Sequence, residues 1–291
     1  MKYLILFTCL ISFSTKIFAQ DDLLQSLDSI SPKKKDFVIA TFKSTRVVNA
    51  HSIDVVGRRA LDFRIAHRFG PFNSGFYNWY GLDGPATIKI SLEYSFDGRL
   101  MFGIGRSSLQ KMYEGFLKYR LLRQTTDGKM PLSITLLSSM NMNMQKKETV
   151  TNYIDFNSRF SYAHQAIIGR KFNEKLSLQV SPTLIHYNTI GISEQQNTMF
   201  MVVGAGRFKF TRSVALTFEY GLRFKNMTNN YEKYYNSFSL GIDIETGGHV
   251  FQMFVSNSIG MNEVQFLPYT SSSWKDGGIR LGFNVSRIFG I

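Results

Sequence analysis

The chain has 291 residues, of which 44% are hydrophobic, 14% aromatic and 19% charged, and its formal net charge is +13. The aromatic content excludes a disordered chain, and six prolines and 23 glycines are too few for a collagen-like or low-complexity filament. This length suits one or two domains, although a β-barrel can occupy the whole chain as one domain.

The first 19 residues predict a secretory signal peptide. Lys2 precedes a short apolar stretch at 4–13, and Ala19 precedes a polar residue, which is typical of a cleavage site. The stretch is shorter than the roughly 20 apolar residues that a spanning helix needs. Cleavage would remove Lys2, Lys16 and Cys9, the only cysteine, and lower the net charge to +11. We therefore expect an exported protein that uses neither disulfides nor thiolates.

Residues 20–57 are predicted to form an N-terminal periplasmic segment. Its first part, with the run Ser31 to Lys35, is typical of a solvated linker. Its second part, residues 37–57, is amphipathic and carries Lys43, Arg46, His51 and Asp54. We hypothesise that this second part tucks into or across a barrel as a plug or strap. An added edge strand and a loose tail are the alternatives.

Residues 58–291 show apolar and polar residues in strict alternation, the pattern of strands with two different faces. In residues 88–96, Ile, Leu, Tyr and Phe alternate with Lys, Ser and Glu. Residues 214–224 and 279–286 alternate in the same way. The pattern predicts about twelve strands, near 59–69, 88–96, 99–106, 113–122, 131–142, 157–169, 175–186, 199–210, 214–224, 236–245, 248–257 and 279–286.

Short and long connections alternate between these strands. Asp97-Gly98 and Gly247-Gly248 are tight-turn dipeptides. Long connections fall mostly between the tight ones, near 70–85, 143–156, 187–198, 226–235 and 258–277. Short periplasmic turns and long outer loops are typical of outer-membrane barrels. Two connections fit this rhythm less well, because 107–112 is short for an outer loop and 123–130 is long for a turn.

A soluble β-sandwich would also alternate apolar and polar residues. The predicted strands are longer than usual, and aromatic residues such as Tyr94, Phe96, Phe224 and Phe289 lie towards their ends, where interfacial girdles sit. We therefore predict an all-β fold, a transmembrane antiparallel up-and-down β-barrel in the outer membrane. We expect its outer wall to contact outer-membrane lipid.

Five stretches in residues 40–125 carry a resemblance to a known family. They are Thr41 to Ser52, Leu61 to Gly70, Gly81 to Asp83, Gly103 to Ser108 and Tyr113 to Arg120. They resemble the opening of a family of uncharacterised bacterial β-barrel proteins, a domain of unknown function. The resemblance implies a barrel and an outer-membrane location, and it implies no ligand, reaction or site residue.

If the apolar faces meet lipid, the alternate side chains line the lumen. The charged lumen-lining candidates are Asp62, Arg64, Arg68, Lys89, Glu93, Glu114, Lys118, Arg120, Arg159, Glu219, Arg223, Asp243, Glu245 and Arg280. Their signs nearly cancel, which favours ion pairs across the lumen over a strongly anion-selective pore. Twelve strands lie between the filled eight-stranded barrels and the open sixteen-stranded ones, so the pattern leaves an open and a closed lumen as alternatives.

Motifs for catalysis or cofactor binding are missing. The five histidines form no two-histidine metal motif, and no G-x-S-x-G sequence occurs. His249 with Ser256 or Ser258 is the one nearby catalytic pairing, and we regard it as chance. The Gly103–Arg106 and Gly204–Arg207 runs are not followed by a phosphate-loop sequence, and they indicate a kink or a close backbone approach instead. We expect no catalytic residue, cofactor, metal or nucleic-acid partner.

The sequence thus favours a channel or passive transporter for small polar solutes. A closed barrel that acts as a structural or interaction protein through its outer loops is the alternative. The aromatic residues Phe76, Tyr77, Trp79 and Tyr80 are its candidate contact surface, unless that loop packs on itself. A barrel enzyme is the less favoured third hypothesis.

Overall fold

The computed structural model describes residues 36–146, 155–189 and 196–291. The predicted signal peptide and the lysine-rich linker lie outside the described residues. Residues Phe37–Ile291 form one compact unit. Residues 37–57, for which the sequence predicts a plug or strap, belong to the same unit as the strands.

The described residues contain twelve strands, which form a closed antiparallel barrel and confirm the predicted fold class. Each strand pairs with its neighbours in sequence, and β1 closes the barrel against β12 through a register that runs from Ala60 opposite Gly290 to Pro71 opposite Arg280. The strands are β1 (Ala60–Pro71), β2 (Thr87–Ser95), β3 (Leu100–Ser107), β4 (Tyr113–Leu122), β5 (Ser133–Met142), β6 (Phe160–Lys171), β7 (Leu176–Tyr187), β8 (Thr198–Lys209), β9 (Val214–Arg223), β10 (Ser237–Thr246), β11 (His249–Ser256) and β12 (Arg280–Gly290).

The helical elements of the described residues are short. Four 3-10 helices, Phe72–Ser74, Phe76–Gly81, Leu109–Lys111 and Asn157–Arg159, lie in the connections, together with the α-helix α1 (Glu263–Phe266). Among the described residues, no helix has both the length and the apolar character to cross a membrane.

The two faces of the sheet have opposite chemistry. Along β2, Ile88, Ile90 and Leu92 are exposed, whereas Lys89 and Glu93, which alternate with them, are buried. The same inversion, with apolar side chains outside and polar ones inside, recurs around the barrel. A soluble sandwich buries its apolar face. A barrel in lipid does the reverse, since its outer wall meets hydrocarbon and its interior is polar.

The two ends of the barrel also differ. We call the end with the connections 96–99, 123–132, 172–175, 210–213 and 247–248, most of which are short, the turn side, and the opposite end the loop side. Gly98, Gly247 and Gly248 have positive φ angles, the conformation that tight hairpin turns require. As the sequence indicated, the connection at 108–112 is short for the loop side and the one at 123–132 is long for the turn side.

The glycine runs inside strands, for which the sequence predicted a kink or a close backbone approach, lie against side-chain rings. A Cβ atom added at Gly103 would lie 2.4 Å from the ring of Phe116. One added at Gly206 would lie equally close to the ring of Phe218. Glycine therefore makes room for an aromatic ring on the neighbouring strand at both places.

A charge placed on the outer wall should destabilise the barrel. Leu92 lies near the middle of β2, is exposed, and pairs with Phe63 and Ile104 on either side. We expect Leu92→Arg to lower the free energy of unfolding from vesicles by about 2–4 kcal/mol, because an arginine must then lie in hydrocarbon. The matched control, Ser213→Arg in a turn, should change it by less than about 0.5 kcal/mol. Equal effects in urea titrations would show that this wall does not face lipid.

Candidate functional site in the barrel lumen

A hairpin of the N-terminal segment occupies the interior of the barrel. We call residues 41–56 the lumen hairpin. Near the turn side, Phe37 forms an isolated antiparallel β-bridge with Thr125. The chain direction then reverses between Thr45 and Ser52. The reversal is held by backbone hydrogen bonds from Val47 to Ala50 and from Ser52 to Thr45, both 2.9 Å. The hairpin then returns to the turn side, where β1 begins at Ala60.

Hydrogen bonds from strands all around the barrel place the hairpin inside it. Lys118 of β4 donates to the Asp54 carbonyl at 2.5 Å, and Thr135 of β5 donates to the Ile53 carbonyl at 2.8 Å. Gln179 of β7, Gln252 of β11 and Asn284 of β12 donate to other hairpin carbonyls at 2.7–2.9 Å. The wall side chains thus satisfy a backbone that has few hydrogen bonds of its own.

The tip of the hairpin is bound to one carboxylate of the wall. The backbone N–H groups of Val48, Asn49 and Ala50 all donate to Oε2 of Glu219, at 3.2, 2.9 and 2.8 Å. The Asn49 side chain donates to Oε1 of the same residue at 3.1 Å. Successive backbone N–H groups make a concave site for an anion. Here that site belongs to the hairpin, and the anion is a buried side chain of β9.

A second anchor lies on the β2 side of the barrel. Arg46 of the hairpin is buried and pairs with Glu93 at 3.2 Å, and Thr45 donates to the same carboxylate at 2.5 Å. Arg64 of β1 donates to the hydroxyls of Ser44 and Thr45 at 2.7 and 3.0 Å. Charge-assisted hydrogen bonds of this kind are stronger than neutral ones. They hold the hairpin against β1 and β2, in addition to the contacts at its tip.

The turn-side mouth holds weaker, more exposed pairs. Lys43 pairs with Glu245 at 2.8 Å, and Asp54 pairs with Arg120 at 3.4 Å. Asp54 also accepts the backbone N–H of Phe42 at 2.6 Å. A cavity of about 340 Å³ lies at this mouth between the hairpin, Arg120, Arg123 and Glu245.

Apolar contacts also hold the hairpin in the lumen. Phe42, Val47, Ile53 and two further valines of the hairpin pack against inward apolar side chains of the wall, which include Met101 and Phe116. The hairpin therefore fills the lumen with both kinds of contact, and its apolar side is directed at the few apolar patches of a mostly polar wall.

The connection between β11 and β12 fills the lumen from the loop side. All four residues of α1 are buried. Lys89 of β2 donates to the Asn262 side chain at 2.5 Å, and the Tyr187 hydroxyl of β7 donates to the Val264 carbonyl. Val264 and Phe266 pack in one apolar cluster with Ala50 at the hairpin tip. The hairpin and this loop therefore meet inside the barrel.

The structure buries most of the charged residues that the sequence assigned to the lumen. The buried candidates are Asp62, Arg64, Arg68, Lys89, Glu93, Glu114, Lys118, Glu219, Arg223 and Asp243. The remaining four are half-buried and lie near the barrel ends: Arg120, Arg159, Glu245 and Arg280. Arg159 stands in a 3-10 helix rather than a strand, where it donates to the carbonyls of Asn143 and Gln145.

The expected ion pairs across the lumen take a different form. Lys89 and Glu114 do pair between strands at 2.6 Å, and Arg64 pairs with Asp62 two residues away at 2.9 Å. The other inward charges mostly meet the lumen hairpin, which supplies a partner from the middle of the barrel. Because the hairpin lies between opposite walls of the barrel, each ion pair spans a shorter distance than a pair across the empty lumen would.

Several interior groups were missing from the sequence-based set. Arg207 of β8 and Glu263 of α1 are buried, as are Asn49 and His51 of the hairpin. The amphipathic pattern of residues 37–57 could have identified the basic and polar hairpin residues as interior groups. No pattern in the sequence indicated that Glu263 is an interior group, because it lies in a long connection outside the alternating strands.

Among the buried groups outside the strands, His51 and Glu263 have shifted pKa values. Burial lowers the pKa of His51 well below its ordinary value, and the charges of Arg46 and Lys118 lower it further. The imidazole is therefore neutral. Burial raises the pKa of the Glu263 carboxyl, while attraction to Arg46 opposes that shift and Glu114 adds to it.

The structure does not join the serine and histidine that the sequence offered as a chance catalytic pair. His249 begins β11 on the outer face and stacks on Phe251, whereas Ser256 is buried at the other end of the strand. On the outer wall, Ser138 and His164 do share a hydrogen bond of 3.0 Å. This bond satisfies two polar side chains that face outward from neighbouring strands.

Comparisons with known proteins agree with this architecture. A family model described as "Membrane bound beta barrel domain (DUF5777)" matches residues 42–289, a range that takes in nearly all of the lumen hairpin. An outer membrane channel from Pseudomonas putida F1 is 15% identical with a TM-score of 0.50, over 83% of this chain and 100% of that chain. At this identity the likeness concerns the fold alone.

Two further solved structures are more distant. The KdgM porin is 10% identical with a TM-score of 0.48, over 79% of this chain and 99% of its own. The outer membrane phospholipase A from Escherichia coli is 12% identical with a TM-score of 0.44, over 85% and 95%. No curated protein matches the chain.

Proposed function

Since the chain belongs to the membrane-bound β-barrel domain family, we propose that it is a gated outer-membrane channel for small polar solutes, with the lumen hairpin as its gate. The turn side would face the periplasm and the loop side the cell exterior, as is usual for such barrels. The hairpin would then enter from the periplasm, and the cavity at the turn side would be its periplasmic vestibule.

The observation that carries this proposal is the polar wall behind the hairpin. Inward positions of the wall are buried and hydrophilic on most strands, for example Ser91, Thr135, Gln165, Ser239 and Asn284. A barrel that only had to remain closed could fill its interior with packed apolar side chains. A hydrophilic wall, by contrast, can be wetted when the hairpin leaves, because water can replace the hydrogen bonds that the hairpin made.

The closed state follows from the same contacts. Between the hairpin and the wall, the residues Arg46, Arg64, Arg68 and Lys89 surround a cavity of only about 20 Å³. This volume accommodates about one water molecule. Passage of a solute therefore requires that the hairpin move, and with it the β11–β12 connection that packs on the hairpin tip. An open pore at rest, the simplest form of the channel hypothesis, is not what we propose.

Osmotic swelling of liposomes tests the proposal. The chain expressed without residues 1–19 should leave liposomes nearly impermeable to small sugars. Glu219→Ala, which removes the acceptor for the hairpin tip, should raise the swelling rate about tenfold or more, and small sugars should enter faster than large ones. Glu245→Ala at the mouth serves as the matched control. Liposomes with folded Glu219→Ala that remain as tight as empty ones would contradict a channel.

A closed interaction barrel is the second candidate, favoured by one observation. Phe76, Tyr77, Trp79 and Tyr80 in the loop-side connection of β1 and β2 are all exposed, and Tyr77 is 94% exposed. The only ring contact among these four in the structure is between Phe76 and Tyr80, at 6.3 Å. Exposed aromatic residues of this kind are favoured as interface anchors. A swelling assay in which every variant stays tight would support this reading.

A further inference from the structure

We propose that the barrel interior holds a divalent transition-metal ion between His51, Glu114 and Glu263. The three residues come from three different elements: the lumen hairpin, strand β4 and helix α1. One nitrogen or oxygen atom from each lies within 4.8 Å of the corresponding atoms of the other two, and all three residues are buried. The site stands where the hairpin, the wall and the folded-in loop meet.

The potential ligand atoms are unpartnered. Within the described ranges, neither ring nitrogen of His51 has a hydrogen-bond partner, and neither carboxylate oxygen of Glu263 has one. Both side chains are 0% exposed. Buried polar atoms are nearly always hydrogen-bonded, and each unsatisfied one needs an explanation. A metal ion explains both residues at once, because it accepts a lone pair from each.

The charges around the site leave room for a cation. Arg46 pairs with Glu93 at 3.2 Å and with Glu114 at 3.8 Å, and Lys89 pairs with Glu114 at 2.6 Å. Glu263 forms no ion pair with the described part of the chain. A buried carboxylate without a partner is costly. A bound cation would compensate it directly.

Two further cations near the imidazole are already engaged. Arg64 pairs with Asp62 at 2.9 Å, and Lys118 donates to the Asp54 carbonyl at 2.5 Å. Glu114 can bind a metal through Oε1, which has no hydrogen-bond partner in residues 36–146, 155–189 and 196–291, while Oε2 stays 2.6 Å from Lys89. A ligating carboxylate held by such an outer partner is a common feature of metal sites.

The ligand set favours Zn²⁺ or a similar ion. Imidazole suits transition metals, whereas Ca²⁺ and Mg²⁺ prefer oxygen ligands alone. Tetrahedral coordination at about 2.0–2.1 Å places ligand atoms roughly 3.3 Å apart. Since the three atoms now lie within 4.8 Å of one another, they must close by up to about 1.5 Å. Glu263 can supply this movement, because no hydrogen bond to a described residue fixes its carboxylate. The imidazole is held in place by an edge contact with Phe116 at 4.7 Å.

A direct metal-binding experiment tests this site, and it does not depend on solute passage. The chain without residues 1–19 is refolded into micelles with Zn²⁺, freed of excess metal and analysed by mass spectrometry for zinc. The expected result is about one zinc ion per chain. The variants His51→Ala and Glu263→Gln should lower the affinity by more than about 100-fold, as measured against a chromophoric chelator.

His249→Ala is the matched control, since this histidine lies on the outer wall and outside the cluster. It should bind zinc as the parent chain does. Heat-dependent gel migration shows which variants have folded. If His51→Ala does not fold, the isosteric Glu263→Gln decides the question. A folded parent chain without bound zinc would overturn the proposal, as would full binding by folded Glu263→Gln or an equal loss in His249→Ala.

Discussion

Glu219→Ala is expected to release the tip of the lumen hairpin while leaving the strand pairing of the barrel intact. The substitution removes the acceptor of three backbone N–H groups, those of Val48, Asn49 and Ala50. Each buried donor without a partner costs about 1–3 kcal/mol. We expect the free energy of local opening to fall by about 3 kcal/mol, which corresponds to roughly 100-fold faster amide exchange at these residues.

Hydrogen–deuterium exchange followed by mass spectrometry measures this effect. Peptides from the strands should exchange as in the parent chain, because their ladders do not involve Glu219 side-chain atoms. Glu245→Ala is again the control, since it removes a half-exposed pair with Lys43. Such a pair contributes less than about 1 kcal/mol. Unchanged protection of the hairpin in Glu219→Ala would mean that the tip is held by its apolar neighbours and not by the carboxylate.

The barrel and its two faces follow from the sequence because lipid imposes a strict pattern. In β9, Leu216 and Phe218 face outward, whereas Glu219 and Arg223 are buried, as their alternation predicted. An outward charge would have to lie in hydrocarbon, so strands of this kind keep a regular period of two. Tight turns at Gly98 and Gly247 could be predicted for a similar reason, since few residues adopt their conformation.

The partners of the inward charges could not be predicted from that pattern. Glu219 binds Asn49, which is 170 residues away in the chain, and Arg46 lies 47 residues from Glu93. Alternation places a side chain inside but says nothing about what comes to meet it. Arg207 escaped notice because the Gly204–Gly206 run weakens the alternation of β8, and Glu263 because its loop folds inward without a periodic signal.

The hairpin resolves a choice that the strand count left open. Twelve strands leave more space than inward side chains of an eight-stranded barrel would fill. In this chain the added volume holds α1, which is buried, and residues 41–56, of which all but Lys43 and Asp54 are buried. The near-balance of the wall charges is consistent with this filling, because Arg46 of the hairpin pairs with the wall inside the lumen, and Lys43 and Asp54 pair with it at the turn-side mouth.

Removal of the hairpin is expected to have the largest functional effect. Deletion of residues 21–56 takes away the backbone that the inward side chains now bind, among them Lys118, Gln179 and Glu219. These polar groups should then be hydrated, and water-filled space lined by polar side chains conducts ions. The strand ladder, including the closure of β1 on β12, does not contain the deleted residues and should remain.

The most direct test is therefore the current through planar bilayers that contain the chain without residues 1–19 or the chain that also lacks residues 21–56. Heat-dependent gel migration first establishes that both barrels are folded. We predict that the longer chain is silent or shows rare, brief openings, and that the deleted chain carries a steady ohmic current. Equal currents from the two chains, or silence from a folded barrel without the hairpin, would contradict the hairpin as the gate.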